Sequence, residues 1–215
     1  DSDFISHWNN SSEQLSSWKK YFQSNQSLLR QVIFNIKKIS GIKNFALSNI
    51  PIYLITVPYS KDKEINAWFS WTTKETFIVV EIPFGLKIPK DSFPLGVLVH
   101  EFFHLMIRKN KKLFLKIDEI SKKNEKILLS KSDGMPRKMF LEELIVSSFI
   151  PEGYLYEKVF YTKVFPCTIK PKSLLDWRKF IAFYSRDISK DYVDNTQVID
   201  DRYIKNLVKI IKTVK

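Results

Sequence analysis

One cysteine, Cys167, and five glycines leave little room for several common chemistries. A lone cysteine excludes an internal disulfide framework and a zinc knuckle built on thiolates, and it reads as a small packed residue rather than a nucleophile. The glycines form neither a GxGxxG fingerprint nor a P-loop, so no glycine-rich turn is there to cradle a phosphate. No apolar run reaches the roughly 18 residues of a membrane-spanning helix. Acidic residues are also in short supply, 23 against 35 basic ones, for a formal net charge of +12. The basic clusters "RKNKKLFLK" (108–116) and "SKKNEK" (121–126) could attract nucleic acid or an anionic surface. No aromatic-basic nucleic-acid motif accompanies them, however, so they read as lysines spread over solvated helix faces.

What is present suits a globular chain. Hydrophobic residues make up 44% and charged ones 27% of 215 residues, enough for one domain over 1–215 with two approximate lobes, 1–110 and 111–215. Residues 11–40 carry apolar positions at helical spacing (Leu15, Trp18, Phe22, Leu29, Val32, Ile33, Ile36) and predict one or two amphipathic helices that stop at Gly41. "IPIYLITVPY" (50–59), "INAWFSW" (65–71) and "TFIVVEIP" (76–83) are rich in β-branched and aromatic residues and predict a small mixed sheet, with "TTKE" turning a hairpin between the last two. Asp91 or Ser92 can cap the next helix, and Pro94 suits its first turn. From Leu95 to Ile107 that helix is apolar on almost every side, as a buried central helix must be. Helices are expected over 112–130, 137–150, 173–188 and 201–213, with "PEGY" (151–154) ending the second of these.

The buried helix contains "HEFFH". Residues i and i+4 lie on one helical face, so His100 and His104 can aim two imidazoles at one ion while Glu101 reaches a water bound to it. With only three histidines in the chain, a chance HExxH has a probability of about two in a thousand. Three polar side chains in an apolar helix also cost several kcal/mol, of the order expected for unsatisfied buried groups, unless something satisfies them. We therefore expect a zinc site, one Zn2+ per chain.

A catalytic zinc takes three protein ligands and keeps one position open. No histidine follows His104, and His7 stands near the start of the chain, so the third ligand is expected to be a carboxylate. "RKMFLEELIVSSFIPEGYL" (137–155) offers two consecutive glutamates on a largely apolar helix. Glu143 shares a face with Met139, Ser147 and Ile150, and the small Ser147 lets another helix come close. That favours Glu143, with Glu142 as its supporting neighbour or pointing elsewhere.

With these residues in view, the sequence resembles the zincin metallopeptidases, and among them the gluzincins, whose third ligand is a glutamate on a helix after HExxH. "HEFFH" matches the family motif, and "EELIVSS" looks like the family's glutamate helix, with Glu143 at the ligand position. "NAWFSW" (66–71) looks like the substrate-binding edge strand of thermolysin-like enzymes, which implies that Asn66 and Ala67 hold the substrate backbone. The resemblance covers residues 66–155, and the 39-residue step from His104 to Glu143 is longer than in thermolysin itself. It implies a zincin-like α+β fold: N-terminal helices, a small mixed sheet, the HExxH helix and a mainly helical C-terminal lobe. It also implies a zinc-dependent peptidase that hydrolyses peptide bonds by Glu101-assisted attack of a zinc-bound water. With no downstream histidine to stabilise the oxyanion, Tyr154 and Tyr156 are the candidates for that role. The expected partner is a peptide or protein substrate, and the start at Asp1 rather than Met favours an extracytoplasmic home after signal-peptide removal. The competing readings are a non-catalytic binding protein on the same scaffold and a basic nucleic-acid-associated protein.

Overall fold

A computed structural model describes residues 2–44, 50–58, 64–71, 75–89, 91–161 and 170–214; for residues 2–8 and 71 only the backbone is described. Cys167, most of the "TTKE" turn and the His7 side chain lie outside the described residues. The chain is α+β, with ten helices and one three-stranded sheet among the described residues. None of the described helices is long and apolar enough to cross a membrane. Contacts gather the chain into two units, one made of 1–30 and 46–101, the other of 31–45 and 102–215.

The first unit contains α1 (Ser2–Ser24), the start of α2 (Gln26–Ile39), strands β1 (Ile52–Val57), β2 (Asn66–Trp71) and β3 (Thr76–Pro83), and the first half of α3 (Phe93–Lys109). The sheet order is β1-β3-β2, parallel between β1 and β3 and antiparallel between β3 and β2. The central strand buries Ile78, Val79, Val80 and Ile82, which is why it reads as an almost unbroken apolar run instead of an alternating one. Gln14 on α1 fastens the end of β3. Its amide donates to the carbonyls of Pro83 and Leu86 at 2.9 and 3.3 Å, and its oxygen accepts from the Gly85 N–H at 3.1 Å. Trp18, 1% exposed, adds a longer indole contact to the Leu86 carbonyl at 3.4 Å.

Helix α3 starts where the sequence predicts. The Asp91 carboxylate accepts from the Phe93 N–H at 3.1 Å, which satisfies one of the donors a helix start leaves open. Arg108 and Lys109 close its last turn, the favourable end for cations.

The second unit takes in the rest of α2 and α3 and the helices α4 (Lys111–Lys123), α5 (Glu125–Leu129), α6 (Arg137–Ser147), α7 (Tyr154–Phe160), α8 (Leu174–Tyr184), α9 (Arg186–Asp194) and α10 (Asp201–Thr213). Helix α6 lies at its centre and touches α4, α5, α8 and α10, with Phe140, Leu141, Leu144, Ile145 and Val146 wholly buried. Gly41 ends α2 at φ +70, and a Cβ there would come within 2.8 Å of Val198, so both conformation and space call for glycine. A hydroxyl cluster ties α10 inward: the Tyr203 hydroxyl lies 2.6 Å from Ser148 Oγ and 2.8 Å from Ser189 Oγ.

The helix predicted over 112–130 is interrupted at Asn124, and that over 173–188 at Ser185. Residues 154–160, read from sequence as following a helix end, form α7. Gly153 caps it in extended backbone. A Cβ there would sit 2.0 Å from the Ser148 carbonyl oxygen, so the chain passes too close to α6 for any side chain.

Candidate metal centre

His100, Glu101 and His104 share the uninterrupted helix α3, so helical geometry alone sets the spacing of the two histidines. Both are buried, 6% and 7% exposed. Glu143 comes from α6. His100, His104 and Glu143 each offer one ligand atom, and those atoms all lie within 4.8 Å of one another. Glu101, half-buried on α3, is not one of the three.

Both ring nitrogens of His104 face carboxylates. Nδ1 donates to Glu142 Oε1 at 2.7 Å, and Nε2 lies 3.0 Å from Glu143 Oε2. Glu142, only 1% exposed, also accepts from Arg108 Nε at 3.0 Å. Burial by itself would lower the His104 pKa; the hydrogen bonds to Glu142 and Glu143, with their charges, outweigh it and push the value up to about 10. Burial works to raise the Glu142 pKa, and the hydrogen bond and charge of His104, together with Arg108, hold it below the usual carboxylate range.

Two imidazoles and a carboxylate are a donor set of the kind that zinc accepts; in this structure His104 Nε2 and Glu143 Oε2 are hydrogen-bonded to each other at 3.0 Å. Glu142 holds the other nitrogen of His104, the carboxylate-on-histidine arrangement that fixes tautomer and ring orientation in metal sites. Comparisons with protein-family models, curated proteins and solved structures return no match.

On the far side of Glu143 stands Arg178 of α8. Its Nε is 3.5 Å from Glu143 Oε1, and its guanidinium donates to Glu152 Oε1 at 2.8 Å. The result is a row of alternating charge through the second unit: Arg108, Glu142, His104, Glu143, Arg178, Glu152. Sequence reasoning assigned no site role to Arg108 or Arg178. Arg178 sits next to Lys179 in "DWRKF", and nothing local separates the inward cation from the outward one.

The other expected site residues are placed as follows. Asn66 and Ala67 begin β2, an edge strand that pairs with β3 alone among the described strands. The Asn66 amide donates to Glu81 Oε2 at 3.3 Å across the pair, and Ala67 is buried. Tyr154 opens α7, and its hydroxyl donates to Asp194 at 3.2 Å and accepts from Lys190 at 3.4 Å. Tyr156 is buried against Phe160, ring centroids 4.7 Å apart.

Proposed function

We propose that this chain is a zinc-dependent metallopeptidase on a zincin-like fold, with His100, His104 and Glu143 as metal ligands and Glu101 as general base. The observation that carries the reading is the meeting of His100, His104 and Glu143, residues singled out by HExxH spacing and by a glutamate helix 39 positions later. The sheet is consistent with it, because an antiparallel edge strand precedes the histidine helix in the chain.

A zinc ion at this site would supply Lewis acidity toward a carbonyl oxygen and bring the pKa of a water toward neutrality. Glu142 keeps the His104 ring oriented through Nδ1, so that Nε2 stays turned to the Glu143 side. Glu101 accepts the proton of the attacking water and passes it to the leaving amine, so one carboxylate serves as base and then as acid. Asn66 and Ala67 receive an extended substrate backbone along β2 by strand addition.

Metal content and cleavage of a generic peptide pool, measured on protein purified without a chelator or a His tag, test the reading. Wild type is expected to carry one zinc per chain, Glu143→Ala to lose it, and Glu101→Gln to keep it while losing cleavage. A wild type that takes up no zinc when supplied with it would reduce His100 and His104 to core histidines and end the peptidase reading.

A further inference from the structure

Arg178 is oddly placed for a residue beside a cation site. A guanidinium near a ligand carboxylate repels a dication, so on charge alone its presence weakens metal binding. Its surroundings do not make it a loose surface group either. The side chain is 23% exposed, and Glu152, 13% exposed, holds it by a 2.8 Å ion pair. Its Nε is buried and has no hydrogen-bond partner among the described residues, although Glu143 Oε1 is only 3.5 Å away. A buried donor left open a few tenths of an ångström from an acceptor is costly, and a small turn of the Glu143 carboxylate would close the gap. Glu143 Oε2 is meanwhile drawn to His104 Nε2 at 3.0 Å.

We propose that Arg178 is a positioning residue for the third ligand. Held by Glu152, it takes Glu143 Oε1 as a hydrogen-bond acceptor when Oε2 leaves His104 for the metal. Glu143 would thereby offer a metal one oxygen, Oε2, while Oε1 stays with Arg178. Glu152 acts only through Arg178. The pair mirrors Arg108 and Glu142 on the other side of the site: there a carboxylate backed by an arginine orients a histidine ligand, and here an arginine backed by a carboxylate orients a carboxylate ligand. The proposal rests on the metal-site reading above.

The test is zinc affinity of the full chain, by competition with a chromophoric chelator, together with the visible absorption of the Co2+-substituted protein as a readout of coordination. Arg178→Gln is expected to weaken zinc about 10- to 100-fold, the usual loss when a supporting hydrogen bond is removed, and to change the Co2+ spectrum. Arg178→Lys retains the charge but not the planar fork, and it should lose nearly as much. Glu152→Gln should lose less, and the double variant no more than Arg178→Gln alone, because the two act in series. Metal-free circular dichroism and the thermal midpoint identify any variant that has merely unfolded, and Arg178→Lys then carries the test. Tighter or unchanged zinc binding in folded Arg178→Gln, or wild-type binding in Arg178→Lys, would overturn the positioning role while leaving the metal site standing. Absence of zinc from the wild type would overturn the metal-site reading and this inference with it.

Discussion

Two charge networks in the second unit invite comparison. One is the row from Arg108 to Glu152 that passes through His104 and Glu143. The other joins α7 to α9, where Lys158 and Lys190 both pair with Asp194, Arg186 makes a two-point bond to Glu157 at 3.0 and 2.8 Å, and Tyr154 lies under the Arg186 and Lys190 cations. Both alternate in sign, and both join helices distant in sequence. They differ in solvent. Glu142 is 1% exposed and His104 9% at the side chain, whereas Lys190 is 50% and Lys158 43%. Water screens the second network and lets its members exchange partners, so each pair contributes little. In the first, Glu142 and His104 are buried, so removing one leaves the other's polar atoms in a low-dielectric interior.

The contrast is sharpest at Glu142. Glu142→Ala removes the buried carboxylate paired with His104 Nδ1 and should destabilise the metal-free protein by about 3–5 kcal/mol, the range for breaking a buried pair; a denaturant midpoint measures it. A change below about 1 kcal/mol would put this pair in the class of surface bridges and dissolve the contrast.

The pH dependence of zinc binding comes next. The His104 pKa is raised from an ordinary 6.5 to about 10 in the metal-free protein, so its proton must leave for Nε2 to bind metal. Zinc affinity should then rise by about tenfold per pH unit below that value for each proton displaced. Metal-free stability runs the opposite way. The contribution of protonated His104 is complete below about 6.5, its unfolded value, and is lost as pH climbs toward 10. Zinc titrations at pH 6, 7 and 8 check the first trend, and a flat profile would mean that no proton is displaced.

The smallest effect belongs to the surface network. The hydrogen bonds from Lys158 and Lys190 pull the Asp194 pKa down from 3.8 to about 2. Its stabilisation is therefore present above about 3.8 and fades as pH falls toward 2. Because these groups are well exposed, Asp194→Asn should cost no more than about 1 kcal/mol at neutral pH, and less as salt is added. Thermal melts at low and high ionic strength would show it.

The cluster of His100, His104 and Glu143 was more legible in the sequence than the groups packed around it. His100 and His104 are marked by scarcity, by spacing and by the apolar helix that carries them. Glu143 followed from the lack of a later histidine and from the small Ser147 one turn on. The three strands of a mixed sheet over residues 50–83 also followed from their β-branched and aromatic texture. Arg108, Glu152 and Arg178 were not legible, because what distinguishes them is the tertiary neighbour. Many of the chain's other basic residues look identical in sequence, and only burial beside Glu142 or Glu143 sets these two apart. Helix α7 was missed for a related reason: "PEGY" carries strong local stop signals, yet Gly153 is there because the backbone passes against Ser148, and the helix resumes at once.

The two units share helices α2 and α3, and in both cases the division falls within the helix, at 30/31 and at 101/102. No single cut therefore liberates either unit as a continuous fragment. A break after Glu101 would leave His100 and Glu101 on one piece, and His104, Glu142 and Glu143 on the other. The proposed activity thus belongs to the intact chain. Splitting the gene at that point would yield two fragments that each hold part of the proposed ligand set, and a metal added to both would report whether they reassemble.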